Sequence, residues 1–250
     1  MRRTMESITT DVLHKSYTRG MVDHGWLRSK HTFSFGNYFN PERLHFGALR
    51  VLNDDEVAPG KGFGKHPHSN MEIISIPLQG NLEHTDSMGN TSIIKKGDVQ
   101  VMSAGTGILH SEFNASQTEE VRFLQIWIVP NQEDVEPKYG QLSLDIKDRK
   151  NRLQQIVSPD PEDDGLWIHQ NAWLQMTRLE KGHTLYYKLN DPMNNGVYAF
   201  VIDGQVSING QHLVNRDGYG IWDVDELQIA AEEDVELLLI EIPMGREFNM

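Results

Sequence analysis

The chain has 250 residues, a formal net charge of −13 at neutral pH and no cysteine. This length can bury a core without disulfides, and the lack of thiols excludes thiolate ligands, cysteine nucleophiles and iron–sulfur clusters. The acidic balance argues against direct binding to nucleic acid. No apolar run reaches the length of a membrane helix and none follows the basic N-terminus, so we expect a soluble, cytoplasmic protein.

Strand patterns dominate the first half of the chain. Four runs predict strands: 71–78, 81–86, 91–96 and 121–129. Residues 46–52 predict a further strand, which is expected to end at a turn formed by Asn53, Asp54 and Asp55. Glycine and Asn/Asp turns recur between these runs, while helix signals are scarce. This pattern of strands and turns predicts an all-β barrel or sandwich.

The second half repeats this pattern of strands and turns. It follows a charged, proline-containing segment that is expected to hold a strand or short helix. Asn195-Gly196 and Asn209-Gly210 are hairpin signals. The strand, glycine, strand order around Gly80 and again around Gly204 indicates an internal duplication. The predicted parts are an N-terminal unit over 1–135, a linker over 136–165 and a C-terminal unit over 166–250.

Two short stretches carry the chemistry. His66 and His68 stand two residues apart, and His110 and Glu112 repeat that spacing. Side chains two apart in a strand share a face, with Cα atoms roughly 6.5–7 Å apart, so each pair looks into one space. Three imidazoles and one carboxylate bind a divalent first-row metal and leave positions open for substrate or dioxygen. His-x-His alone is a weak signal; the surrounding glycine turns and the second pair strengthen it.

Spacing leaves the carboxylate ligand open, because Glu72 has the same strand parity as His66 and His68 and competes with Glu112. The other histidines form no comparable pair, and we expect them to be exposed or hydrogen-bonded structural residues: His14, His24, His31, His45, His84, His169, His183 and His212. The aromatic stretch 32–39 is expected to pack in the core rather than to line a pocket mouth.

Several sequence segments resemble the motifs of a known family. Gly60-x5-His66-x-His68-x3-Glu72-x7-Gly80 resembles the first cupin motif, and 97–114 resembles the second with two extra residues before its histidine. More narrowly, the strings from Gly62 to His68 and from Met102 to Glu112 resemble the pirin family of bicupins. The resemblance is specific to about residue 130 and looser beyond.

The resemblance implies two facing cupin barrels of the double-stranded β-helix, or jelly-roll, type. It implies one metal, in the N-terminal barrel only, held by His66, His68, His110 and Glu112, with Glu72 as a nearby carboxylate. The C-terminal half, which has no His-x-His or His-x-Glu, would then be a barrel without ligands. Fe(II) is the first expectation for the metal, with Mn, Ni, Co, Cu or Zn as alternatives.

The resemblance also implies a function. A pirin-type dioxygenase would use O2 to open the ring of a flavonol such as quercetin, with Glu112 as the general base. The alternative is a metal-containing, redox-responsive module that binds a protein partner and has only incidental dioxygenase activity; a net charge of −13 suits a basic partner surface. A third reading is a small-molecule-binding barrel whose metal is structural.

Overall fold

The computed structural model describes residues 10–245, which form 22 strands and two short 3₁₀ helices. The first strands are β1 (Thr10–His14), β2 (Gly20–Asp23), β3 (Leu27–His31), β4 (Leu49–Val57), β5 (Gly62–His68), β6 (Glu72–Gln79), β7 (Asn81–Asp86), β8 (Thr91–Lys95), β9 (Asp98–Ser103), β10 (Ile108–Asn114), β11 (Val121–Ile128) and β12 (Lys138–Ser143). The others are β13 (Gln154–Ser158), β14 (Leu166–Trp167), β15 (Trp173–Leu179), β16 (Thr184–Lys188), β17 (Asn195–Asp203), β18 (Gln205–Ile208), β19 (Gln211–Val214), β20 (Gly218–Trp222), β21 (Glu226–Ala231) and β22 (Val235–Pro243). The 3₁₀ helices span Ser16–Thr18 and Ile146–Arg149. Over this range no helix has the length and apolar character needed to cross a membrane.

Four sheets build two barrels. The first barrel has a seven-stranded sheet, β12-β9-β6-β11-β4-β3-β2, facing a four-stranded sheet, β5-β10-β7-β8. The second has a seven-stranded sheet, β1-β20-β17-β22-β15-β13-β14, and a four-stranded sheet, β16-β21-β18-β19. The predicted all-β fold with two cupin barrels is confirmed.

The duplication seen in the sequence is a duplication of topology. The order β5-β10-β7-β8 recurs as β16-β21-β18-β19, and β9-β6-β11-β4 recurs as β20-β17-β22-β15. Gly80 and Gly204 occupy the matching turns with φ of 71° and 91°, and a Cβ at either would meet backbone atoms of a neighbouring segment. Glycine is therefore required at this turn in both barrels.

The two seven-stranded sheets pack face to face through one apolar core. Ile74, Leu124 and Ile126 of the first sheet belong to the same buried cluster as Phe200 and Ile240 of the second. Alternate residues of β6 and β11 point the other way, into the first barrel, because successive side chains of a strand leave opposite faces. This alternation decides which polar residues reach the interior of the first barrel.

Two local predictions were wrong. Asn53, Asp54 and Asp55 continue β4 instead of forming a turn, and Asn195-Gly196 begins β17 instead of closing a hairpin. Polar residues were taken as turn formers, whereas Asn53 and Asp55 are buried inside the barrel at 2% and 4% exposure. Asn209 and Gly210 do form the β18–β19 turn, both with positive φ.

The sheets exchange strands near the predicted boundaries. β1 lies within the predicted N-terminal unit but pairs with β20 of the second barrel. The predicted linker contributes β12 to the first barrel and β13 to the second. The division at residues 135 and 166 stays a prediction, and its outer ends, 1–9 and 246–250, lie outside the described residues.

Candidate metal centre

Three imidazoles meet on the inner face of the small sheet of the first barrel. β5 and β10 are antiparallel neighbours, and their register sets His66 opposite His110. The ring centroids of His66 and His110 are 4.4 Å apart, and His68 lies 4.9 Å from each. One ring nitrogen from each lies within 4.8 Å of the other two, so the three can share one ion.

The surroundings favour the neutral form of His68 and His110 and leave ring nitrogens without hydrogen-bond partners. Burial, together with the neighbouring histidines, lowers the pKa of His110 to about 3, and burial lowers that of His68 to about 4. Both ring nitrogens of His110 are buried without a hydrogen-bond partner among the described residues. Nδ1 of His66 lies 2.7 Å from the Gly64 carbonyl oxygen, which leaves Nε2 for a metal. Neutral imidazoles with unused nitrogens are the donor set that a divalent transition metal prefers.

An irregularity in the pairing of β10 positions Glu112. The pairing of β10 with β5 shifts between His110 and Glu112, which places Glu112 opposite Phe63. Ser75 Oγ donates to Glu112 Oε1 at 2.9 Å, and Gln125 Nε2 donates to Oε2 at 2.7 Å. Burial raises the pKa of this carboxyl to about 7, against the effect of these two hydrogen bonds.

The three-histidine cluster and a second candidate group that contains Glu112 share one residue, His110. A ligand oxygen of Glu112 lies within 4.8 Å of nitrogens of His110 and His84, which form a second candidate group. The same carboxylate lines the pocket that also exposes His66 and His68. The two candidate groups share His110, and the pocket is lined by His66, His68 and Glu112, so the four predicted ligands lie in one region of the barrel.

Glu72 lies on the other face of its sheet. It shares the strand parity of Ile74, which packs in the core between the barrels. Its Oε2 accepts a 2.6 Å hydrogen bond from Ser103 Oγ. Burial raises its pKa to about 7, against this hydrogen bond, the charge of Lys138 and a hydrogen bond from the His169 backbone. Glu72 is thus absent from the residues that surround the three histidines, and of the two carboxylates that spacing left open only Glu112 faces them.

His84 is a neighbour of the centre that spacing did not single out. Its side chain is fully buried, and Nε2 lies 3.2 Å from Asp86 Oδ2. The register pairs His84 with Glu112 across β7 and β10, and its ring stacks on Tyr139 at 4.9 Å. The His-x-Asp spacing on the strand next to His-x-Glu is the signal that could have found it.

A pocket of about 340 Å³ opens in front of the centre. Aromatic rings form much of its wall: Trp26, Phe35, Phe63 and Trp127. Trp127 packs edge-on against His68 at 4.9 Å. The expectation that the aromatic stretch packs only in the core was half right, because Phe33 is buried there while Phe35 lines this pocket. Such walls suit a flat, largely apolar ligand.

The described residues of the second barrel include no comparable histidine cluster. Both candidate metal groups among residues 10–245 lie in the first barrel. The strands that correspond to β5 and β10 are β16 and β21, and their buried side chains Tyr187, Leu227 and Ile229 belong to an apolar cluster. Where the first barrel sets imidazoles on these two strands, the second sets aliphatic and aromatic side chains.

Fold and site together define a metal-binding bicupin whose centre lies in the first barrel. Comparison with known proteins agrees: the Pirin family model matches residues 13–128, and the model of the quercetinase C-terminal cupin domain matches residues 155–242. The chain belongs to the pirin family.

Relatives with curated names cover nearly the whole chain. A quercetin 2,3-dioxygenase of Escherichia coli (strain K12) is 43% identical over 231 residues, which are 92% of this chain and 98% of that protein. A pirin-like protein of Caulobacter vibrioides is 42% identical over 223 residues, covering 89% and 95%. The crystal structure of the bacterial pirin YhhW from Escherichia coli in complex with nickel(II) matches with a TM-score of 0.89 at 41% identity, covering 94% of this chain and 100% of that one. The predicted resemblance to pirins and to proteins named quercetin 2,3-dioxygenase is confirmed.

Proposed function

We propose that this protein is a metal-dependent dioxygenase that opens the ring of a flavonol such as quercetin with O2. The observation that carries the proposal is the convergence of three imidazoles and a buried carboxylate beside one aromatic-walled pocket. The relatives named quercetin 2,3-dioxygenase support it.

His66, His68, His110 and Glu112 would hold one divalent transition metal. The orphaned ring nitrogens of His110 fit that role, and the carboxylate completes a nitrogen-rich, oxygen-containing set. Fe(II) is our first candidate, and the nickel(II) complex of a relative shows that a pirin accepts another metal. When bound, the metal supplies the Lewis acidity and the electron chemistry that reaction with O2 requires.

The protein's own groups orient the substrate and move one proton. Glu112 is the proposed general base, because its carboxylate lines the pocket and lies close to the nitrogens of His84 and His110. It would take the proton of the flavonol 3-hydroxyl. Ser75 and Gln125 fix the carboxylate by donating to its two oxygens. Trp26 and Trp127 would hold the flat ring system and keep water away from it.

The test is O2 uptake and carbon monoxide release on quercetin by metal-loaded protein, with the metal content measured beside it. Glu112→Gln is expected to lose turnover by a factor of about 10² or more, in the range of a lost general base. Glu72→Gln is the matched control, since Glu72 is an equally buried carboxylate outside the pocket. A metal-loaded wild type without O2 uptake on any flavonol would refute the proposal and favour the redox-responsive interaction module. Full turnover by Glu112→Gln would remove Glu112 as the base.

A further inference from the structure

A row of polar side chains crosses the inner face of the large sheet of the first barrel. The register sets Ser75 opposite Gln125, Gln125 opposite Asn53 and Asn53 opposite His31. Asp55 follows Asn53 by two residues on β4 and so shares its face. At the end of this row nearer to Glu112, Ser75 and Gln125 donate hydrogen bonds to its carboxylate.

The far end of the row lacks partners. Asn53 Oδ1, Asp55 Oδ1 and His31 Nδ1 form no hydrogen bond within residues 10–245, although these residues are only 2%, 4% and 4% exposed. Buried polar atoms are nearly always paired, because an unpaired one has lost its hydration without replacement. All three residues line the same pocket as His66 and His68. Their free atoms therefore point to something that enters the pocket.

We propose that Asn53, Asp55 and His31 form a second substrate subsite, which binds a phenolic hydroxyl of the flavonol away from the ring atoms that face the metal. This inference rests on the proposed function and specifies its substrate class: a polyhydroxylated aromatic rather than a bare one. The oxygens of Asn53 and Asp55 are acceptors, and a phenol is a strong donor. Phe35 lies beside these groups on the pocket wall and offers an apolar face for the ring that carries the hydroxyl.

The charged residues of the pocket restrict the class of ligand further. No lysine or arginine is among the described residues that line the pocket, whereas Asp55 and Glu112 both line it. At the end of the pocket that holds Asn53 and Asp55, a carboxylate or phosphate substituent would face the Asp55 carboxyl with no lysine or arginine on the pocket wall. A neutral hydroxyl donor avoids that cost.

The experiment measures how the metal-loaded, full-length protein discriminates quercetin from 3-hydroxyflavone, which keeps the 3-hydroxyl and lacks the others. Quenching of the fluorescence of Trp26 and Trp127, which line the pocket, gives a Kd for each flavonol, and KM is measured in parallel. The variants are Asn53→Leu and Asp55→Leu. Gln100→Leu is the matched control, because Gln100 is buried and lies opposite Ser75 in the same row but does not line the pocket.

The wild type is expected to bind quercetin more tightly than 3-hydroxyflavone. Each leucine variant should reduce that ratio by about tenfold, the usual effect of removing one partner of a buried hydrogen bond, while Gln100→Leu leaves it unchanged. Asp55→Asn keeps the shape and one acceptor oxygen, so it is expected to keep most of the ratio and serves if a leucine variant fails to fold.

Two results would overturn the subsite. Equal wild-type affinities for the two flavonols would do so without any variant, and so would an unchanged ratio in folded Asn53→Leu and Asp55→Leu. Turnover of both flavonols with equal constants leaves the dioxygenase standing while the subsite falls, the free atoms then being met by water. A wild type that binds neither flavonol refutes both proposals.

Discussion

The buried carboxyl of Glu112 should make the metal-stripped protein less stable as pH rises. Its folded-state pKa is about 7, against a usual value of 4.5, because burial disfavours the charged form. Between these values the folded protein keeps a proton that the unfolded chain releases. Stability from this group is therefore full below pH 4.5 and is lost as pH rises through 7. Glu112→Gln removes the titration and should remove this loss.

The size follows from the two pKa values. At about 1.4 kcal/mol for each tenfold change in proton affinity, a pKa of about 7 in place of 4.5 costs roughly 3 kcal/mol at pH 8. Part of that loss has already occurred at pH 5, so roughly 2–3 kcal/mol separates pH 5 from pH 8. Glu72 and Asp55 also have pKa values raised to about 7 by burial, so the wild-type curve alone does not isolate Glu112.

The assay is urea unfolding of metal-stripped wild type and Glu112→Gln at both pH values. The difference between variant and wild type should move by roughly 2–3 kcal/mol in favour of the variant from pH 5 to pH 8, and any loss of hydrogen bonds to Ser75 or Gln125 cancels because it is present at both. Glu133→Gln, at an exposed carboxylate, should show no such movement. Metal-loaded protein should reverse the sign at pH 8, since a bound cation stabilises the carboxylate. A difference that is constant with pH in the stripped protein would refute the reasoning.

Two further outcomes follow from the geometry. Gly62→Ala places a Cβ against the Glu112 carbonyl oxygen and the Cα of Phe113, so it should cost about 1–3 kcal/mol and reduce the bound metal. Gly64→Ala is the control, since a Cβ there meets nothing within 4 Å; equal melting temperatures and metal contents of the two variants would contradict the assigned contact. Trp127→Ala removes the ring that packs on His68 and should raise the KM for a flavonol about tenfold with the metal retained, whereas an unchanged KM would exclude this wall from substrate binding.

The sequence located the three-histidine cluster because its signal is local. His66 and His68, like His110 and Glu112, share a face through the two-residue period of a strand, and neighbouring pairing of β5 and β10 joins the two pairs. What failed was the distinction between polar residues of turns and polar residues of a barrel interior, as at Asn53–Asp55.

The sequence by itself determined the all-β class, the duplication, the three histidines and the absence of a comparable set in the second half. Only the tertiary structure shows that Glu112, and not Glu72, lines the pocket beside the histidines, because both have suitable parity on their own strands and their positions depend on which sheet face each strand turns toward the barrel. It also decided that His84 and the Asn53, Asp55 and His31 group approach the centre. Those neighbours come from β3, β4 and β7, and contacts between strands distant in the chain follow from sheet register, which no local pattern encodes.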